Sequence, residues 1–293
     1  MIRKTLFTAI LAVMSASTVP AATPDAAAQL GKTLTPTGAE KAGNKDGTIP
    51  EWTGGLTTPP PGFKPGATVR PDPFAGEKPR LVITGQNADQ YKDKLTAVTY
   101  AMLKRHATFR LDVYPTHRPV MFPARLNENT LKNATQAKTT DGGLGLDSAL
   151  PGTPFPVPKT GAEVMWNHLL RYNGIATSCK FDSYNTDASG VTTLSTTGQN
   201  TQEYPVYGPE NIDKPMKGTD AYLNLKAEFS GPPRRAGEAL LVIDHVNALK
   251  QPRKAWQYLP GQRRVKLAPE LAYDTPTAGT SGAGTYDDAF VFN

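Results

Sequence analysis

Alternation of apolar and polar positions is clearest in the second half of the chain. Over residues 222–229, Leu223, Leu225, Ala227 and Phe229 fall on one side and Tyr222, Asn224, Lys226 and Glu228 on the other. That is the two-residue period of a half-buried strand. Residues 239–246 (ALLVIDHV) are apolar at both parities, which predicts a strand covered on both faces. An alternating segment around Ile175–Tyr184, a turn at Asp187–Gly190 and a return through Val191–Thr197 predict one hairpin. Residues 256–259 (WQYL), the Pro260-Gly261 turn and residues 263–268 (RRVKLA) predict another. A further strand starts at Tyr286 and runs to Phe292, one residue before the end, so the chain is expected to be incomplete at its C-terminus.

The first half is less regular. A short helix is predicted over residues 25–33 with Asp25 as N-cap. Residues 34–79 are rich in proline and glycine, yet Trp52, Leu56, Phe63 and Phe74 supply apolar anchors. They read as an extended strap, since a disordered linker would be poorer in aromatics. Leu81-Val82-Ile83 is a short strand. Residues 87–106 read as a helix, with Asn87 and Gln90 as a capping box and Tyr91, Leu95, Val98 and Met102 on one face. A strand follows at 109–114 (FRLDVY). Residues 123–159 read as a Pro/Gly-rich connection. Thr160 and Glu163 then form a second capping box, opening a helix that places Met165, Leu169 and Tyr172 together.

At the N-terminus, Arg3 and Lys4 precede an apolar run at 5–14 and small residues from Ser15 to Ala22, the pattern of a cleaved export signal. The run is about half the roughly twenty residues that a bilayer span needs. The expectation is therefore residues 1–22 as signal peptide, 23–79 as short helix and strap, and 80–293 as the main domain. The mature protein is expected to be soluble and periplasmic. The single cysteine, Cys179, excludes an internal disulfide, and as part of a strand (ATSCKF) it is expected to be buried and inert.

Net charge is +6, and its placement is uneven: residues 234–266 hold eight cations against Glu238 and Asp244. Such a stretch either attracts anionic headgroups or lipopolysaccharide, or is a solvated edge whose cations discourage strand-to-strand aggregation. An export signal makes nucleic acid the least fitting partner. Candidate chemistry is sparse. His106, His117, His168 and His245 lack metal-ligand spacing, and no serine-nucleophile elbow or phosphate-binding glycine loop is present, so no cofactor or metal is expected. In GNKDGTIPEW (43–52), Asn44, Asp46, Gly47 and Ile49 fit four positions of a calcium loop. Ala42 and Thr53 stand where carboxylates are required, which leaves a tight turn at Asp46-Gly47. His117 and Arg118 follow a strand end and either bind an anion or hold loop carbonyls, the latter being the reading favoured.

Several segments resemble a known family: GNKDGTIPEWTGG (43–55), VYPTHR (113–118), PFPVPKTGAEVMWNH (154–168), LLVID (240–244), AWQYLPGQRRVKLAPELAYDTP (255–276) and YDDAFVFN (286–293). The resemblance, running from about residue 25 to the end, is to uncharacterised Gram-negative periplasmic proteins. These are placed in the superfamily of the outer-membrane lipoprotein carriers LolA and LolB. It implies a mainly β (α+β) fold, a curved antiparallel half-barrel with helices against its concave, apolar face, and a chain that continues past Asn293. It also implies association with outer-membrane proteins and with exporters of hydrophobic compounds. It brings no catalytic residues.

The resulting expectation is a non-catalytic periplasmic carrier or chaperone for a lipid, lipoprotein or other hydrophobic molecule. Leu223, Leu225, Phe229, Leu241, Ile243, Trp256 and Tyr258 would line the site, and Arg263 and Arg264 would meet an anionic head. The rivals are an adaptor docking on an outer-membrane complex through its basic edge, and an ester hydrolase with His117 or His245 as base.

Overall fold

The computed structural model describes residues 24–268, 271, 274–280 and 282–286. The expected signal peptide and all but the first residue of the expected C-terminal strand lie outside the described residues. In chain order the elements are α1 (Pro24–Ala27), β1 (Leu81–Thr84), α2 (Ala97–Arg105), β2 (Arg110–Val113), α3 (Ala124–Gln136), β3 (Lys138–Thr140), β4 (Gly145–Asp147), α4 (Gly161–Leu169), β5 (Ala176–Thr186), β6 (Thr192–Glu203), β7 (Ala221–Gly231), β8 (Ala239–His245), β9 (Lys254–Leu259) and β10 (Arg264–Leu267). They divide into two compact units. One holds residues 31–35 and 39–122; the other holds residues up to 30, 36–38 and everything from Pro123. The strap and the β1–β2 pair thus belong to one unit.

In the smaller unit β1 and β2 pair antiparallel, Leu81 opposite Val113 and Thr84 opposite Arg110. Between them the expected single helix is two pieces, a 3-10 helix over Ala88–Lys94 and then α2. The break comes from capping. Thr96, in an extended conformation, accepts the Thr99 N–H through Oγ1 (3.1 Å) and starts a new helix. Asn87 does not cap. It turns back on β1, accepting the Thr84 N–H (2.7 Å) and donating to the Val82 carbonyl (3.0 Å). The restart resets the helical phase, so Leu103 is buried with Ile83 and Ala88, while Val98 and Met102 face solvent. Gly85 permits this packing, since a Cβ there would stand 2.5 Å from the Leu103 carbonyl oxygen.

The strap is ordered by its backbone. Arg118 donates to the carbonyls of Glu40 (2.6 Å), Lys41 (3.0 Å) and Pro50 (3.3 Å). Trp52 donates its indole N–H to the Val120 carbonyl (3.1 Å). Asn44 closes the turn before it, accepting the Ile49 N–H (2.9 Å), and Gly47 takes a positive φ of 67°. Of the four expected anchors, Trp52 and Phe74 find partners; Leu56 and Phe63 are exposed.

In the larger unit, the expected connection over 123–159 contains the thirteen-residue helix α3. Its buried face mixes Leu126 and Ala134 with polar side chains that interrupt the apolar stripe: Asn129, Thr130 and Asn133 are at most 1% exposed. Asn129 donates to the carbonyls of Pro151 (2.9 Å) and Ile212 (2.8 Å). Asn133 both donates to the Leu150 carbonyl (2.8 Å) and accepts the Leu150 N–H (2.7 Å), and Thr130 accepts the Thr153 N–H (3.0 Å). These bonds satisfy a proline-rich backbone that sits in the core, with Pro151 and Pro154 fully buried. Each contributes about 0.5–1.5 kcal/mol when made, and leaving a buried group unmade costs about 1–3 kcal/mol.

Of the second expected capping box the first bond is present, Thr160 Oγ1 accepting the Glu163 N–H (3.3 Å), and Glu163 reaches one residue before the cap to accept the Lys159 N–H (2.5 Å). The buried stripe of α4 runs through Glu163 and Trp166 on to the cap residue Leu170, rather than through Met165 and Leu169. Trp166 donates to the Gly143 carbonyl (2.8 Å) and meets the Tyr222 ring edge-on.

β5 to β10 form one six-stranded antiparallel sheet in which every neighbour in sequence is a neighbour in space. β5 and β10 are its two ends, so among the described residues the sheet is open and no barrel closes. Register shifts occur at Ser183/Tyr184, Thr197/Gly198 and Ala221/Leu223. The fold is therefore mainly β with few helices, and no described helix is long and apolar enough to cross a membrane.

Candidate binding surface

Strand pairing sorts the residues of the large sheet into rows, and the rows show two unlike faces. On the first face, Leu225 pairs with Val242, which pairs with Ala255. The next row is Cys179, Asn200, Ala227, Leu240, Gln257 and Lys266. Leu223, Leu225, Ala227, Phe229, Leu240, Val242 and Ala255 are all buried, so this face is covered over β7–β9. Phe229 meets Phe181 edge-on and lies 4.4 Å beneath the Arg235 guanidinium. Arg235 is itself held by Glu238 (3.1 Å).

The covered face also carries a buried ion pair. Asp244 accepts two bonds from Arg253, at 2.7 and 2.6 Å, a bidentate fork in which both side chains are at most 13% exposed. Arg253 continues to the Leu271 carbonyl (3.2 Å). Burial raises the phenol of Tyr286, with Arg253 and Arg235 pulling it the other way. After β10 the chain returns to the sheet, with residues 278–280 packed on β5 and β6 and Asn185 donating to the Thr280 carbonyl (3.2 Å).

The opposite face changes character along the sheet. One row reads Ser178, Thr201, Lys226, Leu241, Trp256, Leu267; the next reads Lys180, Gln199, Glu228, Ala239, Tyr258, Val265. Polar residues occupy β5 and β6, the Lys226–Glu228 ion pair (2.9 Å) marks β7, and β8–β10 are apolar. That apolar quarter is open. Leu267 is 63% exposed, Val265 64%, Leu241 38% and Tyr258 36%, while Trp256 and Ile243 are half-buried. Lys254, opposite Ile243, and Lys226, opposite Leu241, are cations on the same face. His245 lies there too. Burial lowers its pKa, with Lys254 adding to the effect.

The residues expected to line one site are thus divided. Leu223, Leu225 and Phe229 belong to the covered face, at 8%, 5% and 6% exposure, where they are core residues. Leu241, Ile243, Trp256 and Tyr258 come together on the open face. The expectation that β8 is covered on both sides is corrected: Leu240 and Val242 are buried, and Leu241 is not. Arg263 sits in the hairpin turn with a left-handed φ of 47°, and Arg264 points to the parity opposite Val265. Arg264 therefore lies on the side away from the Trp256–Tyr258 pair. Val265 and Leu267 were absent from the expected lining. The period-two pattern of Trp256 and Tyr258, carried across the hairpin turn in register, is the signal that finds them.

The other candidates resolve locally. His117 pairs with Glu77 (2.7 Å) and stacks on Phe74 at 3.8 Å, and Arg118 holds strap carbonyls, the structural role favoured for this cluster. Cys179 is exposed rather than buried, because the covering of the first face does not extend over it. No group of three or more potential metal-ligating side chains gathers among the described residues.

Comparison with known proteins adds a family and one relative. Residues 82–293 match the family model described as a protein of unknown function, DUF1329. An uncharacterised protein of Pseudomonas aeruginosa is 39% identical over 290 residues, covering 97% of this chain and 62% of the relative. The chain thus spans about 62% of the length of that relative. No solved structure matches. With the family model covering more than half of its residues, the chain belongs to the DUF1329 family of proteins of unknown function.

Proposed function

We propose that this protein is a non-catalytic binding protein for an acyl-bearing or otherwise hydrophobic molecule, which lies on the open face of β8–β10. The observation that carries the reading is the gradient along that face. A polar sheet surface becomes, over three strands, a block of Leu241, Ile243, Trp256, Tyr258, Val265 and Leu267, four of them well exposed. Contiguous apolar surface of this kind marks interaction sites. Lys226 and Lys254 on the same face suit a ligand with an anionic head. The half-barrel of the lipoprotein carriers belongs to this proposal as well; an open, wholly antiparallel sheet in sequence order is the support for it. So does action in the Gram-negative periplasm, supported by the basic start, apolar run and small-residue finish of residues 3–22.

The test uses cis-parinaric acid, whose fluorescence rises on entering an apolar site, titrated into the purified chain. Saturable binding that is lost in Leu241→Glu, with thermal unfolding unchanged, is the expected result. Binding that survives Leu241→Glu and Leu267→Glu in folded protein would remove the open face as the site. A second reading, an adaptor docking through its basic edge, rests on the cations gathered over residues 234–266. It differs in expecting salt-sensitive co-purification with a membrane protein and no bound lipid.

A further inference from the structure

The polar end of the open face is hollowed. Phe181, Gly198 and Phe229 form one row across β5, β6 and β7. The Phe181 ring occupies the covered side of Gly198, where a Cβ would stand 2.9 Å from it. On the open side this row presents only backbone, and the rows flanking it wall a hollow of about 630 Å³. Lys180, Gln199 and Glu228 make one wall; Asp182, Thr197 and Ser230 make the other. Walls and floor come from β5, β6 and β7 alone. The volume is that of a small-molecule site, for which about 300–1,000 Å³ is usual.

Every wall residue is polar, donors and acceptors are mixed, and charge cancels. Lys180 and Lys226 stand against Asp182 and Glu228, with Lys226 and Glu228 paired (2.9 Å). Lys254 lies outside the hollow, opposite Ile243. Thr197 donates to Asp182 Oδ1 (2.8 Å), and Gln199 donates to Ser178 (3.0 Å). Asp182 Oδ2, Gln199 Oε1 and the Lys180 ammonium are left without a protein partner among the described residues. Acceptors and a donor in a neutral hollow match vicinal hydroxyls, each of which both donates and accepts. Tyr184, two residues beyond Asp182 on the same face and 59% exposed, adds a ring for the apolar side of a pyranose. The hollow leads onto the apolar block: beyond Lys180, Gln199 and Glu228 the same row continues with Ala239, Tyr258 and Val265. With strands about 4.8 Å apart, β6 and β9 are separated by about 14 Å, the length of an extended chain of about twelve carbons.

We infer that the ligand of the open face is a sugar-headed amphiphile, with an uncharged saccharide in the hollow on β5–β7 and an acyl chain over β8–β10. The chain's place rests on the apolar-ligand reading, and the head's place on the hollow.

The experiment titrates dodecyl maltoside, below its micelle concentration, into the full chain by calorimetry. Maltose and a dodecyl polyoxyethylene ether, which keeps the chain and lacks the sugar, are titrated beside it. Dodecyl maltoside should bind saturably and roughly tenfold more tightly than the ether, the gain expected from a few added hydrogen bonds. Asp182→Ala with Gln199→Ala should erase that preference while ether affinity and thermal unfolding stay unchanged. Equal affinity for the two detergents, or a preference that survives the double variant in folded protein, would overturn the inference. So would maltose binding as tight as that of dodecyl maltoside, because the hollow would then take a free saccharide. Failure of the apolar-ligand reading has a different signature: neither detergent nor cis-parinaric acid would bind, and both assignments would fall together.

Discussion

The two faces of the β5–β10 sheet are built from the same strands by the same alternation, and they differ in what lies over them. Leu225 and Leu241 sit on neighbouring strands. Leu225 is 5% exposed, on the face that also carries the Arg253–Asp244 pair, and Leu241 is 38% exposed. Sequence pattern reports parity and not cover. A residue's neighbours across the sheet can be read from period two, but whether its face is closed depends on segments far away in the chain. The contrast also separates energy from function. The covered face holds the fold together, and the open one is where the proposed ligand would lie.

The sharpest way to break the comparison is at the buried ion pair. Arg253→Met leaves Asp244 as an uncompensated buried charge, which should cost about 3–5 kcal/mol in urea unfolding, and adding Asp244→Leu should recover most of it. Leu225→Ala opens a cavity in the covered face and should cost about 2–5 kcal/mol. The matching open-face change, Leu241→Ala, should stay near 0.5 kcal/mol while weakening parinaric acid binding. A Leu241→Ala cost as large as that of Leu225→Ala would show that the open face is covered in solution. The smallest effect concerns His245. Its folded-state pKa lies below the ordinary 6.5, so the unfolded chain takes up the proton first as pH falls. Stability should therefore decline modestly as pH drops from about 6.5 to the lower folded value and then level off. His245→Gln should flatten that slope in thermal unfolding followed across pH.

Much of the β half was legible in alternation and turn residues, as in β5 and β7, while β8 was found as an apolar run and β6 continues past the expected Thr197 to Glu203. The helical parts were less so, for separable reasons. α3 has Asn129, Thr130 and Asn133 between the buried Leu126 and Ala134, so polar side chains interrupt the apolar stripe that marks a helix. The break between Lys94 and Ala97 depends on Thr96 winning the capping role over Asn87, a local competition that two similar cap residues leave open. For the site, residue identities were half right. Leu241, Ile243, Trp256 and Tyr258 share a face, and the error was to merge them with Leu223, Leu225 and Phe229 across a sheet whose parity divides them.

α3 has a consequence for how this molecule can change over generations. Asn129 and Asn133 stand one helical turn apart and engage the main chain at Leu150 and Pro151, not its side chains. The loop also lies close against the helix, since a Cβ at Gly152 would stand 2.9 Å from Thr130 Oγ1. An insertion or deletion between Leu150 and Thr153 would shift every carbonyl out of reach at once. The loop's length should therefore stay frozen, with glycine held at position 152.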